Sequence, residues 1–182
     1  MHETGARIFR THISSERVKP NPDRVNKVRN YPVPKNQKEV EQFLGLCSYY
    51  RKFIQNFSKT AKPITKLLQK DKKFEWTSKQ NNAFESLKYT LTNKSLLQFP
   101  NWNEPFILTT DASNAALGAV LSQGTIGKDK PIAYASRTLN SAETRYTTTE
   151  KELLAIVWAT KHFHKYFCGR KFKINTDHRL LV

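Results

Sequence analysis

The chain has 182 residues, of which 38% are hydrophobic and 12% aromatic, and this composition excludes an intrinsically disordered protein. Lys and Arg number 31 against 15 Asp and Glu, which gives a formal net charge of +16 at pH 7. Such an excess favours a polyanionic partner, because cationic side chains bind phosphates and release counterions. Two cysteines, Cys47 and Cys168, are too few for a disulfide framework and indicate a reducing compartment.

The positive charge is concentrated in the first part of the chain. Residues 1–100 hold 20 Lys and Arg against 8 Asp and Glu, whereas residues 101–182 hold 11 against 7. The first part therefore predicts a nucleic-acid-binding surface, and the second part can tolerate an acidic site. No apolar run approaches the roughly 20 residues of a transmembrane helix, and no basic amphipathic helix or signal peptide stands out. We therefore expect an intracellular protein with no membrane partner.

The chain begins with an extended or hairpin segment over residues 1–20, which ends in VKPNP. Helices follow, because DRVNKVRNY lies between prolines and spaces its valines three residues apart. Later, SKQNNAFESLKYTLTN carries an apolar stripe and predicts another helix, with Thr77 or Ser78 as its N-cap. The first half is therefore expected to be mainly helical.

A longer apolar stripe occupies the middle of this half and recurs at steps of three and four residues: Val40, Phe43, Cys47, Tyr50, Ile54 and Phe57. This spacing predicts an amphipathic helix, in which Gly45 marks either close packing or a break. Pro63 suits the first turn of a following helix.

The stretch SYYRKF interleaves aromatic and cationic side chains within that stripe. Aromatic rings can stack on bases, but Tyr50, Phe53 and Phe57 follow the stripe and are therefore interpreted as core. Arg51 and Lys52 are predicted to contact a nucleic-acid duplex through its phosphates.

The periodicity changes after residue 100. PFILTTDAS, GAVLSQ and KPIAYASRTL are β-type runs separated by turn residues, as in an antiparallel meander. A long helix follows, which is predicted to begin with a capping box of Thr147 and Glu150 and to end at Gly169. KFKINTDH then predicts a further strand. The fold class is thus α/β: a helical segment, then a mixed sheet of three antiparallel strands, a helix and a fourth strand.

Three acidic residues invite a functional interpretation: Asp111, Glu152 and Asp177. On a helical wheel Glu152 lies within about 40° of Ala159, Phe163 and Ile156, inside the apolar arc. The same wheel places the nearby lysines outside that arc: Lys151, Lys161 and Lys165.

A charge on a packing face is costly unless it is paired or binds a metal. The two aspartates each follow Thr at the end of a strand, so three carboxylates can converge and bind Mg²⁺ or Mn²⁺. The alternatives are that the aspartates cap turns and that Glu152 pairs with a lysine. Spacing alone leaves these alternatives open.

Several separated motifs resemble the reverse transcriptase of gypsy-class LTR retrotransposons: FLGLCSYYRKFIQNFSKTAKPITKLLQK, FEWTSKQNNAFESLK, FILTTDASNAALGAVLSQ, PIAYASRTLNSAETRYTTTEKELLAIVWA and FKINTDH. The resemblance covers nearly the whole chain after about residue 8. It implies a remnant of the palm C-terminal end (1–20), a helical thumb/connection segment (21–99) and an RNase H-like domain (100–182).

The resemblance also implies function. The family's RNase H acids match Asp111, Glu152 and Asp177, as catalytic residues and as ligands of two Mg²⁺ or Mn²⁺ ions. The implied partners are an RNA/DNA hybrid or duplex DNA and the remainder of the Pol polyprotein. The implied location is the cytoplasm, in association with a particle, or the nucleus.

The chain also departs from the family pattern. It has no Asp-Asp pair for a polymerase site, and the family's fourth acidic ligand would follow Val182. We therefore expect a fragment that binds hybrid but cuts it very slowly or not at all. The alternative is an inactive, domesticated or decayed nucleic-acid-binding remnant. A zinc site is disfavoured because one cysteine accompanies its nearby histidines: His162, His164, Cys168 and His178.

Overall fold

A computed structural model of the chain describes residues 6–8, 11–13, 17–70, 73–93 and 97–176. Its side chains are described for 20–23, 25–70, 73–93 and 97–176. Asp177 and His178, which the sequence brought forward as possible ligands, lie outside the described residues. No helix within the described ranges is long and apolar enough to cross a membrane.

The first half is helical, as predicted. Its helices are α1 (Pro22–Arg29), α2 (Gln37–Tyr49), α3 (Phe57–Thr65) and α4 (Ser78–Asn93), with short 3-10 helices at Arg51–Phe53 and Lys66–Leu68. Asn21 caps α1 by accepting the Asp23 backbone N–H, and Pro22 occupies the first position, where a missing donor costs nothing. Thr77 caps α4 through the Lys79 N–H, as predicted.

The long apolar stripe is buried as predicted, but it does not form one helix. The chain leaves α2 after Tyr49, passes through the 3-10 helix and reaches Asn56 in the left-handed region (φ 53°) before α3 begins. Stripe residues on both sides of the break are buried together, so apolar spacing alone cannot reveal it. Gly45 marks neither the break nor close packing, since open space surrounds it inside α2. Pro63 lies in the second half of α3 and not in a first turn.

The four helices share one core, whose buried members run from Val28 to Leu97. Tyr50, Phe53 and Phe57 belong to this core, which confirms their interpretation as packing residues. Tyr31, Phe43 and Phe84 form a chain of tilted ring contacts through it, with ring centroids 5.3 and 4.6 Å apart. Aromatic area of this kind contributes most to packing in a core of this size.

Four short antiparallel strands close the helical half. They are β1 (Ala6–Ile8), β2 (Thr11–Ile13), β3 (Arg17–Pro20) and β4 (Leu97–Gln98), paired in that order. Because β4 pairs with β3, the start and the end of the helical segment lie side by side. The sequence did not predict β4. The domain boundaries at residues 20 and 99 remain predictions.

The second half contains the predicted mixed sheet. Its strands are β5 (Phe106–Ala112), β6 (Ala116–Gln123), β7 (Lys130–Thr138) and β8 (Phe172–Asn175). The order is β7-β6-β5-β8; β5, β6 and β7 are antiparallel, and β8 runs parallel to β5. The fold class is therefore confirmed: a helical segment followed by a mixed α/β sheet.

The helix between β7 and β8 covers one face of this sheet. It comprises α5 (Thr148–His162) and, after an interruption at Phe163, α6 (His164–Phe167), and Gly169 follows with φ 68°. Both hydrogen bonds of the predicted capping box at Thr147 and Glu150 are present. Ala159 and Phe163 pack against the buried strand residues, so small and aromatic side chains alternate at this interface.

Candidate carboxylate site and nucleic-acid interface

Asp111 is the penultimate residue of β5 and is exposed, whereas the residues that begin this strand are buried. It pairs with Gly118 of β6, which pairs in turn with Ser136 of β7. Directly opposed residues in a sheet point to the same face, so these three positions form one row across the sheet. The carboxylate therefore stands at a strand end, beside a residue that has no side chain.

Glu152 lies on α5 and is buried, with 5% of its surface exposed. Its Oε1 accepts the backbone N–H of Ala112, the residue after Asp111, at 3.2 Å. Two of the three predicted acids are thus brought to the same end of β5 from different elements. Glu150, two residues earlier, is exposed and serves the helix cap, where its hydrogen bonds to the Thr147 backbone and side chain lower its pKa.

The helical wheel was right for Glu152 and wrong for Lys151. Lys151 is buried, with 6% exposed, and its Nζ donates to Asn114 Oδ1 at 3.2 Å. The buried face of α5 is rotated toward Ala155, because small alanines let the helix approach the sheet on that side. Lys161 and Lys165 are exposed, as predicted.

Asp177 lies outside the described residues, but β8, the strand that precedes it, is described. Strand β8 is parallel to β5, with Asn175 opposite Thr109, and Asn175 Nδ2 donates to Thr109 Oγ1 at 3.4 Å. Parallel neighbours end at the same edge of a sheet, which is here the edge that carries Asp111. Carboxylate oxygens are ligands that suit Mg²⁺ or Mn²⁺. The described residues supply two of the acids, and within them no group of three or more His, Cys, Asp or Glu is placed to bind a metal.

A narrow crevice beside Asp111 is completed by the helical half, and the sequence did not indicate this contact. Asn56 packs directly over Gly118, so that an added Cβ there would collide with its amide oxygen. The Ser58 backbone N–H donates to Ser136 Oγ at 2.9 Å, which fixes the start of α3 on the sheet. Asn56 and Lys59 line the crevice together with Asp111. Residues so far apart in the chain show no local pattern that links them.

Arg51 and Lys52, the predicted nucleic-acid contacts, lie at the junction of the two halves. The Arg51 guanidinium donates to the Ser136 carbonyl oxygen and stands 5.7 Å from the centre of the Phe57 ring. Lys52 Nζ lies 5.2 Å from the centre of the Phe53 ring. Both residues remain exposed. Partial desolvation of the Lys52 ammonium group, followed by repulsion from Lys165, lowers its pKa.

The geometry defines an RNase H-like sheet joined to a helical segment, with carboxylates at one edge of the sheet. The family model for the RNase H-like domain found in reverse transcriptase matches residues 76–174. The chain belongs to this family.

The relatives are retrotransposon polyproteins. The chain is 48% identical over 170 residues to the retrovirus-related Pol polyprotein from transposon 297 of Drosophila melanogaster, covering 93% of the chain and 16% of that protein. It is 42% identical over 183 residues to the Pol polyprotein from transposon 412 of the same organism, covering 100% of the chain and 15% of that protein. It is 38% identical over 184 residues to the transposon Tf2-3 polyprotein of Schizosaccharomyces pombe, covering 100% of the chain and 14% of that protein.

Solved structures of foamy viral protease-reverse transcriptase share the fold. One, of the form called dRH in complex with double-stranded DNA, matches with a TM-score of 0.81 at 23% identity, over 96% of this chain and 31% of that one. Another, in complex with RNA/DNA hybrid, matches with a TM-score of 0.79 at 23% identity, over 96% of this chain and 24% of that one. The helical segment and the mixed sheet therefore occur together in both.

Proposed function

We propose that this chain is the part of a retrotransposon Pol protein that holds an RNA/DNA hybrid or duplex DNA and contributes to hydrolysis of the RNA strand of a hybrid. RNA-directed DNA synthesis belongs, in this proposal, to the longer Pol protein. The observation that supports RNA hydrolysis most directly is the approach of the buried Glu152 carboxylate to the Ala112 N–H, beside Asp111.

Asp111 and Glu152 would hold divalent cations, Mg²⁺ or Mn²⁺, together with Asp177. RNase H-like domains generally use such ions. When bound, two ions would supply an activated water and neutralise the leaving oxygen of the scissile phosphate. The protein's own contribution is positional: the Ala112 N–H orients one oxygen of Glu152, and β5 directs Asp111 outward from the end of the strand.

Nucleic-acid binding is supported by the charge and by the fold. Residues 1–100 carry a net excess of 12 positive charges, counted as 20 basic against 8 acidic side chains. The two foamy viral structures that share this fold are complexes with double-stranded DNA and with RNA/DNA hybrid. Arg51 and Lys52 are exposed and are proposed as phosphate contacts.

The decisive experiment uses a labelled RNA/DNA hybrid and the Pol protein that contains this chain. We expect Mg²⁺-dependent cutting of the RNA strand, loss of cutting in Asp111→Asn, and unchanged binding of hybrid by that variant. The acidic site would be refuted by an Asp111→Asn protein that cuts as fast as the wild type.

The second candidate is a protein that binds nucleic acid without catalysis. The concentration of positive charge in residues 1–100 favours this candidate, because Lys and Arg can bind phosphates without help from Asp111 or Glu152. A wild-type Pol protein that binds hybrid but leaves the RNA intact in both Mg²⁺ and Mn²⁺ would establish this alternative.

A further inference from the structure

A second cleft lies between the helical half and the sheet, distinct from the Asp111 crevice. We call it the junction cleft; it has a volume of about 540 Å³ and is lined by α2, the following 3-10 helix, β7 and α5. Four of its lining residues carry or can acquire positive charge: Arg51, Lys52, Arg137 and His162. The set of described lining residues contains no Asp or Glu.

Arg137 is already neutralised. Its guanidinium forms two hydrogen bonds to the Glu143 carboxylate, at 2.6 and 2.9 Å, and this pairing lowers the pKa of Glu143. Arg51 is held by the Ser136 carbonyl oxygen, which satisfies a donor but leaves the charge in place. The uncompensated charge of the cleft therefore belongs to Arg51, Lys52 and, when protonated, His162.

His162 is exposed and lies beside two aromatic rings and near cationic side chains. Its ring lies 5.6 Å from that of Trp158 and 4.9 Å from that of Phe163, both on its own helical region. Burial, and then the charges of Arg51 and Lys165, lower its pKa. Lys52 and Arg137 line the same cleft from the other elements. Positive charges close together repel one another, and a bound anion reduces this repulsion.

We propose that the junction cleft binds a phosphate group of a nucleic-acid strand, with Lys52, Arg51 and His162 as its cationic contacts and with Arg51 also linking the two halves through the Ser136 carbonyl oxygen. This proposal rests on the proposed nucleic-acid function and specifies where one phosphate is held. Lys52 comes from the 3-10 helix and His162 from α5, so a phosphate between them joins the helical segment to the sheet. Flexible cationic side chains around an open cleft suit such a tetrahedral oxyanion.

Ser136 connects this cleft to the acidic site, because it lines both the junction cleft and the crevice that contains Asp111. Two strand spacings of about 4.8 Å separate Asp111 from Ser136 across the sheet. A phosphate in the cleft would therefore be only a few nucleotides along the same strand from the nucleotide at Asp111.

The proposal predicts a coupling between binding and protonation. A bound phosphate favours the imidazolium form, so the pKa of His162 should rise on binding. By linkage, affinity should be highest at low pH and should fall as the pH rises through the pKa of His162 in the complex. His162→Gln should remove this pH dependence, whereas His164→Gln, a neighbouring change outside the cleft, should retain it.

The test is an NMR titration of the histidine rings of the whole chain, alone and with either a short RNA/DNA hybrid or inorganic phosphate. We expect the pKa of His162 to rise with the hybrid. Lys52→Gln should weaken hybrid binding about tenfold and reduce the salt slope by about one. Lys66→Gln removes the same charge from an exposed position outside the cleft and should change the affinity less.

The outcomes separate this proposal from the proposed function. A hybrid that binds without moving the pKa of His162 overturns the junction cleft and leaves the nucleic-acid function standing. A rise caused by inorganic phosphate but not by hybrid overturns the nucleic-acid source of the phosphate. A chain that fails to bind hybrid at all overturns both.

Discussion

Two glutamates on the first turns of α5, Glu150 and Glu152, lie only two residues apart and occupy different environments. Glu150 faces solvent and accepts the Thr147 N–H at 2.7 Å, whereas Glu152 is buried and reaches the end of β5. Two residues change the direction of a helical side chain by about 200°. Of the two, Glu152 is therefore the one proposed to share an ion with Asp111.

We predict that Mg²⁺ or Mn²⁺ raises the melting temperature of the chain and that Glu152→Gln abolishes the rise. An ion at ten times its Kd stabilises the folded state by about 1.4 kcal/mol, which corresponds to a few degrees for a chain of this size. Glu150→Gln is the matched control and should keep the metal-dependent rise, measured by differential scanning calorimetry. Loss of the rise in Glu150→Gln instead would mean that the wrong glutamate has been assigned to the site.

The Arg137–Glu143 pair predicts a pH dependence of stability. Hydrogen bonds from Arg137 and from the Asn140 N–H lower the pKa of Glu143 in the folded state. A lowered folded pKa adds stability above the unfolded value of about 4.3, and this stability is lost as the pH falls through the folded pKa. Glu143→Gln should therefore lower the free energy of unfolding at pH 7 and have much less effect at low pH.

Urea unfolding at several pH values measures this difference. Glu41→Gln, at an exposed position on α2, removes the same charge and controls for the net charge of the chain. A Glu143→Gln effect of equal size at every pH would show that packing, and not charge, accounts for it.

At the scale of elements, α5 brings Glu152 to the end of β5, and a capping box defines where this helix begins. The Glu150 N–H donates to Thr147 Oγ1 at 3.3 Å, and the Thr147 N–H and hydroxyl donate back to the Glu150 carboxylate. Reciprocal bonds of this kind satisfy donors that a helix start leaves free.

We expect Thr147→Ala to lower the free energy of unfolding by about 1 kcal/mol. Thr147→Ser keeps the hydroxyl and should behave as the wild type, so the pair isolates the hydrogen bonds from the loss of volume. Chemical denaturation gives both values. If Thr147→Ser were as destabilised as Thr147→Ala, the methyl group rather than the cap would be responsible.

At the scale of the whole molecule, the helical core and most of the positive charge lie in the same part of the chain, before residue 100. The buried members of the helical core all fall between Val28 and Leu97, within the segment that carries most of the positive charge. A protein of residues 1–100 therefore has a core of its own and 20 of the 31 Lys and Arg residues of the chain. The contacts it lacks are those at the junction with β7.

We predict that residues 1–100 retain most of the affinity of the whole chain for duplex DNA and show little sequence preference. Their binding should weaken steeply with salt, because each neutralised phosphate adds about −0.9 to the logarithmic salt slope. Fluorescence anisotropy between 50 and 200 mM salt measures this, with residues 101–182 as the comparison. Affinity that did not respond to salt would contradict the electrostatic account.

The amino-acid sequence by itself determined the kind of each major element and much of the core. The β-type run over Phe106–Ala112 and the three- or four-residue apolar spacing over Ser78–Asn93 are local properties, and each was sufficient to predict its strand or helix. The wheel also selected Glu152, since the burial of a helical side chain follows from its neighbours on the same helix. The break between α2 and α3 escaped prediction because apolar residues continue at helical intervals across it.

Only the tertiary structure decided which distant residues meet. Ser58 and Ser136 are 78 residues apart, and their hydrogen bond places α3 against the row that contains Asp111. Beside this bond, Gly118 leaves room for the Asn56 amide oxygen, which a Cβ at that position would displace. Periodicity records which side of an element is buried, but not which element buries it. The crevice at Asp111 and the junction cleft therefore depend on strand order and helix packing, which no local pattern encodes.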